Sequence, residues 1–258
     1  MSRYPWRLGA TSWVVPADLL TNVRLLAERV DDIQLLFFES TARSRLAHDP
    51  GVGELACIAA DHDLSFTVHL PTDLRLGAAD AATRCVGVEE ILRLAESLAP
   101  LSVRAFDLHL EPEPDLAPAD WLGYVERSLA DLAEKMGDDR VLLAIENTGA
   151  PPEELWALAR RYGFSICLDV GHLLQAGCDW RQAFDRHLPA VRHLHYHGVR
   201  AGRDHRAVDV GQDEVSRALG AALYQAGYQG VVTLEVYTEE RLSASLAALE
   251  KAWEEFEG

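Results

Sequence analysis

Short apolar runs bounded by Gly, Pro or Asp alternate along the chain with longer segments whose apolar residues recur at helical spacing. A strand buried on both faces reads as a nearly continuous apolar run, whereas a covering helix needs only one apolar stripe, so the alternation predicts βα units wound into a parallel sheet. Eight strands are predicted, over residues 8–13, 32–39, 65–71, 103–112, 141–148, 164–172, 191–199 and 231–237. Between them run stripes such as Leu19, Val23, Leu26 and Val30, or Leu122, Val125, Leu129 and Leu132, placed to pack on the sheet. With no Gly/Ser-rich linker and no low-complexity stretch, the eight units predict an α/β fold of one domain over 1–258, a closed (β/α)8 TIM barrel. A dinucleotide-binding sheet would carry Gly-x-Gly-x-x-Gly after an early strand, and none occurs.

Residues two apart on a strand share a face, and the outer face of a barrel strand must be apolar to meet the helices. Val141, Leu143 and Ile145 are therefore expected outside, with Leu142, Ala144 and Glu146 inside. Phe164, Ile166 and Leu168 go outside, with Ser165, Cys167 and Asp169 inside. The same parity turns His69, His109 and Glu235 inward, and it puts His193, His195 and His197 on one face of VRHLHYHGV. Glu39, ending DDIQLLFFE, follows the rule with Phe37 inside and Phe38 outside.

Composition narrows the chemistry. A chain of 258 residues with 48% hydrophobic content can bury a full core. The polar start, Met1 to Gly9, and the lack of any apolar run near the roughly 18 residues of a membrane span point to a cytoplasmic protein with no membrane partner. Cys57, Cys85, Cys167 and Cys178 form no CxxC pair, which fits reduced thiols. The net charge of -17 repels polyanions, so nucleic acid is not expected as a partner.

Each inward polar residue stands at the C-terminal end of its strand, where the βα loops of a barrel converge into an active site. His69, His109, Glu146, Asp169, His195 and Glu235 at one rim place so much charge inside that a compensating cation is required. Imidazole nitrogen and carboxylate oxygen without thiolate suit a divalent metal, with zinc first and manganese, iron or cobalt as alternatives.

The order of these residues resembles the xylose isomerase-like barrel superfamily that includes endonuclease IV and the ketose 3-epimerases. Glu146 in AIENT, Asp169 in LDVGH, His195 in HLHYH and Glu235 in TLEVY match the superfamily's ligands on strands five to eight, and LDVGH adds His172. His69 in TVHLP and His109 in DLHLEP match the extra ligands of members with more than one metal, which implies phosphoester cleavage over sugar epimerisation. The Asp-x-His of endonuclease IV's third metal is absent from RDHRAVDVG, where Asp204, His205 and Asp209 lie out of that register.

Within the superfamily, GATSWVVPADLLTNVRLLAERVDDIQLLFFES is similar to the first two βα units of the cobamide-remodelling phosphodiesterases. The similarity implies a hydrolase of the corrinoid nucleotide loop, acting on a coenzyme B12-type substrate during cobamide salvage. For that chemistry Glu146 bridges two metals, with His69 and His109 on one and Asp169, His195 and Glu235 on the other, while His172 or His197 contacts the phosphate or the departing hydroxyl. Catalytic roles then fall to Glu146, Glu235, His172 and His197. Trp13, Tyr237 and Trp180 offer apolar surface to a corrinoid, and Arg200, Arg203 and Arg206 offer guanidinium groups to a phosphodiester. Asp18 reads as a helix cap. The alternative is a sugar isomerase or ketose 3-epimerase that holds one metal and moves a proton with Glu146 and Glu235.

Overall fold

The structure, a computed structural model, describes residues 3–37, 51–208 and 212–257. The predicted strand end at Glu39, with Phe38, lies outside the described residues, as does Asp209.

Eight parallel strands close into a barrel: β1 (Arg7–Thr11), β2 (Asp32–Leu36), β3 (Ser65–His69), β4 (Val103–Leu108), β5 (Leu143–Glu146), β6 (Ser165–Asp169), β7 (Val191–Tyr196) and β10 (Val231–Leu234). Each neighbours its sequence neighbour in the barrel, and β10 closes on β1 through the pairs Arg7 to Val231 and Ala10 to Leu234. An antiparallel hairpin, β8 (Gly198–Arg200) and β9 (Arg203–Arg206), interrupts the alternation after β7. Helices α1 (Leu19–Leu26), α2 (Gly51–His62), α3 (Ala81–Ser97), α4 (Pro118–Met136), α5 (Pro152–Tyr162), α6 (Val170–Gln175), α7 (Trp180–His187), α8 (Asp213–Gln225) and α9 (Glu239–Glu257) complete the order. None of the described helices is long and apolar enough to cross a membrane.

The predicted stripes face the barrel: Val23, Leu26, Val125, Leu129 and Leu132 are buried among Phe66, Leu108, Ile145, Ile166 and Leu194 of the outer strand faces. Helix starts follow local hydrogen bonding. Asp18 accepts from the Thr21 amide at 2.9 Å, and Asp80 from the Thr83 amide at 2.8 Å, each satisfying a donor that the helix leaves free.

Three predicted boundaries shift. Val141 was expected on the helix side of strand five, but it lies in a 3-10 segment (Gly137–Leu142) and is 42% exposed, because α4 ends at Gly137, φ 56°, and the chain turns before joining the sheet. His109 follows the end of β4 instead of lying on it, and His172 lies on α6, beyond β6.

Candidate metal centre

The barrel interior carries two polar layers. In the lower one, the Thr67 hydroxyl donates to Asp32 Oδ1 at 2.8 Å, and the Ser65 hydroxyl to Oδ2. Asp107 Oδ2 lies 2.8 Å from His193 Nδ1 and 3.0 Å from Gln34 Nε2, and His193 Nε2 meets the Thr233 hydroxyl at 2.7 Å. The Cys167 thiol is buried in the same region, where burial pushes its pKa well up and keeps it neutral.

In the upper layer, register brings the ends of β5, β6, β7 and β10 together: Asp169 pairs with His195, and His195 with Thr233, two residues before Glu235. His195 Nδ1 points at three carboxylates, 3.3 Å from Glu146 Oε1, 3.4 Å from Glu235 Oε2 and 3.8 Å from Asp169 Oδ2. All four atoms are buried without a hydrogen-bond partner. Burial opposes charge on Glu146 and Glu235, but His195 and His109 outweigh it at the first and His195 and His205 at the second, holding both carboxyls well below the usual range. Ligand atoms of Glu146, Asp169, His195 and Glu235 lie within 4.8 Å of one another, a donor set that fits a divalent ion.

Glu146 also belongs to a second group. Its Oε2 lies 3.0 Å from His109 Nε2 and 4.0 Å from His69 Nε2, and the two imidazole nitrogens converge to 3.1 Å. His69 Nδ1 donates to the Leu70 carbonyl at 2.8 Å, which leaves the Nε2 lone pair facing the site, the tautomer that a ligand needs. Burial lowers the His69 pKa. Burial also opposes charge on His109, but Glu146 and Glu111 overcome it and push the pKa up to about 10.

A third group was missed in the sequence. His172, His197 and His205 bring ring nitrogens within 4.8 Å, because the β8–β9 hairpin folds back and stacks His205 on His197 at a centroid distance of 4.4 Å. His205 adopts a left-handed φ of 48°, uncommon for a residue with a side chain. Asp204 and His205 do not form an Asp-x-His along the chain, yet the hairpin brings His205 beside His172 and His197. This group joins the centre through Asp169, whose Oδ1 lies 3.4 Å from His197 Nε2 and accepts the His172 amide at 2.7 Å. The glycine of LDVGH has a role here: a Cβ on Gly171 would stand 2.2 Å from His197 Cε1, so only glycine leaves the ring its place.

Other predicted residues separate. Tyr237 donates to Glu235 Oε1 at 3.0 Å and lies 5.1 Å from the His205 ring, so it orients a site carboxylate. Trp13 is 45% exposed. Trp180 offers no surface: as the first residue of α7 it is buried in the core. Arg203 and Arg206 lie on β9, the strand that carries His205, and Arg200 ends β8. Asn147 of AIENT, unremarked in the sequence, ties two ligands' strands together: its Oδ1 accepts the Asp169 amide at 2.7 Å and its Nδ2 donates to the Asp169 carbonyl at 3.0 Å.

The family described as xylose isomerase-like TIM barrel matches residues 25–255. No curated protein matches the chain. Among solved structures, a D-tagatose 3-epimerase-like protein superposes with a TM-score of 0.80 at 19% identity, covering 97% of this chain and 98% of that one. D-psicose 3-epimerase from Clostridium cellulolyticum H10 gives 0.76 at 15% identity, over 97% and 99% of the two chains. An AP endonuclease of family 2 from Brucella melitensis gives 0.70 at 16%, over 95% and 96%.

Proposed function

Since the chain belongs to the xylose isomerase-like TIM barrel family, we propose that it is a metal-dependent phosphodiesterase that hydrolyses the nucleotide-loop phosphodiester of cobamides. The observation that carries the hydrolytic part is the position of Glu146 between two ligand groups, His69 and His109 on one side and Asp169, His195 and Glu235 on the other. One carboxylate shared by two groups is the arrangement of dinuclear sites that cleave phosphate esters. Bound there, divalent ions would polarise a phosphoryl oxygen and ease deprotonation of water.

The protein's own residues then divide the work. Glu146 joins the two groups, and Tyr237 holds Glu235. His172 and His197 reach the centre through Asp169 and are assigned the phosphate and the departing hydroxyl. Trp13 and the arginines of the hairpin are assigned the corrinoid and its phosphate. The substrate class rests on the similarity of the first two βα units to cobamide-remodelling enzymes. Part of that segment builds the rim: buried Asn22 accepts the amides of Val14 and Val15 at 3.0 Å, fixing the loop that carries Trp13.

A second reading, a ketose 3-epimerase with one ion, is favoured by the convergence of Glu146 and Glu235 on His195 Nδ1, and solved structures of similar fold include a D-tagatose 3-epimerase-like protein and D-psicose 3-epimerase. It makes His69 and His109 dispensable. The deciding experiment incubates the metal-loaded protein with adenosylcobalamin and resolves the corrinoids by chromatography and mass. Hydrolysis at the nucleotide loop is expected; unchanged cobalamin with loaded protein overturns the proposal.

A further inference from the structure

At the opposite end of the barrel from the metal centre, the N-terminal ends of the strands frame a cavity of about 470 Å3. Arg104 lines it from the start of β4 and Arg192 from the start of β7, with Ser165, Tyr228, Leu188 and Pro189 among the other walls. No Asp or Glu lines it. A second cavity of about 580 Å3, lined by Arg3, Arg29, Asp31 and Glu250 among others, balances its arginines with acid. Arg3 pairs with Glu250 and, at 2.7 Å, with Glu254, while Arg29 approaches Glu239 at 3.7 Å. Among the described residues neither Arg104 nor Arg192 has an ion-pair partner, in a chain whose net charge is -17.

Arg192 is fixed in place. Its Nε donates to the Arg104 carbonyl, and its own carbonyl accepts the Tyr228 hydroxyl at 2.9 Å. Gly230 makes room for that hydroxyl, since a Cβ there would stand 2.2 Å from it. These bonds leave both terminal nitrogens of Arg192 without a protein partner, and the Arg104 guanidinium makes no hydrogen bond among the described residues. Burial and the neighbouring charge of Arg104 both disfavour the charged form of Arg192 and lower its pKa. Arginine keeps its proton in a protein, so an anion is what relieves that cost.

We propose that Arg104 and Arg192 form a binding site for a phosphate-bearing small molecule on the floor of the barrel, separate from the metal centre. Each guanidinium presents a planar fork of donors that matches a pair of phosphate oxygens, and two forks suit a dianion. The volume lies within the roughly 300–1,000 Å3 of small-molecule sites, which leaves space for an organic part of the ligand against Leu188 and Pro189. Active sites of barrels gather at the other face, where the βα loops converge, so the floor site is not part of the reaction centre. The inference does not depend on the identity of the substrate.

The test titrates inorganic phosphate into zinc-loaded, 15N-labelled protein and follows the backbone amide shifts of Gln229 and Gly230 on the cavity wall. These amides report the floor separately from any phosphate taken up at the metal centre. Saturable shifts are expected, and Arg104→Gln and Arg192→Gln should each raise the dissociation constant by about tenfold or more, the loss of one charge-assisted contact. Acetate, a monoanion, should bind at least about tenfold more weakly than phosphate. Arg104 is exposed, so its variant keeps the fold even where Arg192→Gln does not. Shifts that do not saturate, Arg104→Gln binding phosphate as tightly as the wild type, or acetate binding as tightly as phosphate overturns the proposal. Failure of the phosphodiesterase reading would appear separately, as unchanged corrinoid with phosphate still bound at the floor.

Discussion

The two polar layers of the barrel are equally buried and unlike in their bonding. In the lower layer, hydroxyls of Ser65, Thr67 and Thr233 and the amide of Gln34 join Asp32, Asp107 and His193 into a network that leaves Asp107 Oδ1 and Gln34 Oε1 unpaired. A few ångströms above it, Glu146 Oε1, Asp169 Oδ2, Glu235 Oε2 and His195 Nδ1 converge with no partner. Unpaired buried charge is costly, and its desolvation is offset only by an opposite charge in good geometry. The contrast separates a layer whose polar groups are largely tied to one another from a layer whose converging donor atoms fit a divalent ion.

The sharpest break of the comparison is Glu146→Ala. It removes the carboxylate common to both ligand groups and, on the proposed function, should lower the rate of phosphodiester hydrolysis by several kcal/mol of transition-state stabilisation, roughly a thousandfold or more. Elemental analysis should show both ions lost; two retained ions would contradict the shared-ligand arrangement. The counterpart below is His193→Ala, which strips Asp107 of its 2.8 Å partner. Denaturant unfolding should show a loss of about 3–5 kcal/mol with metal content unchanged, whereas unaltered stability would mean that the lower layer is not a structural network.

A smaller effect follows from His109, whose pKa is pushed up to about 10. Below that value the metal-free ring is protonated, and coordination must expel the proton. Affinity at that site should therefore rise by about tenfold per pH unit between pH 6 and 8, for one proton released. Calorimetry in buffers of different ionisation enthalpy measures the proton count, and pH-independent affinity would count against His109 as a ligand.

Much of this was legible before any coordinates. Parity alone turned His69, Glu146, Asp169, His195 and Glu235 inward, because an outer barrel face tolerates only apolar residues, and all five are buried. The same rule applied to VRAFDL would have placed Asp107 inside, whereas counting back along DDIQLLFFE from an inward Phe37 puts Gln34 outside, and its side chain instead meets Asp107 and His195 in the interior. Strand ends were less legible. Val141 looked like the start of a strand because apolar periodicity does not register a turn set by a left-handed glycine. His205 was hidden for a different reason: a hairpin after β7 brings it back over His197, and spacing along the chain carries no trace of that return. Trp180 reads equally as rim or core, and packing decided for core.

The most direct test of a centre built around a shared Glu146 is the metal content of wild type and His109→Ala, measured by elemental analysis on folded, dialysed protein. The account predicts two divalent ions in the wild type and one in the variant, since His69 and Glu146 alone make a poor site while the complete group of Glu146, Asp169, His195 and Glu235 remains for the other ion. One ion in both proteins would contradict it.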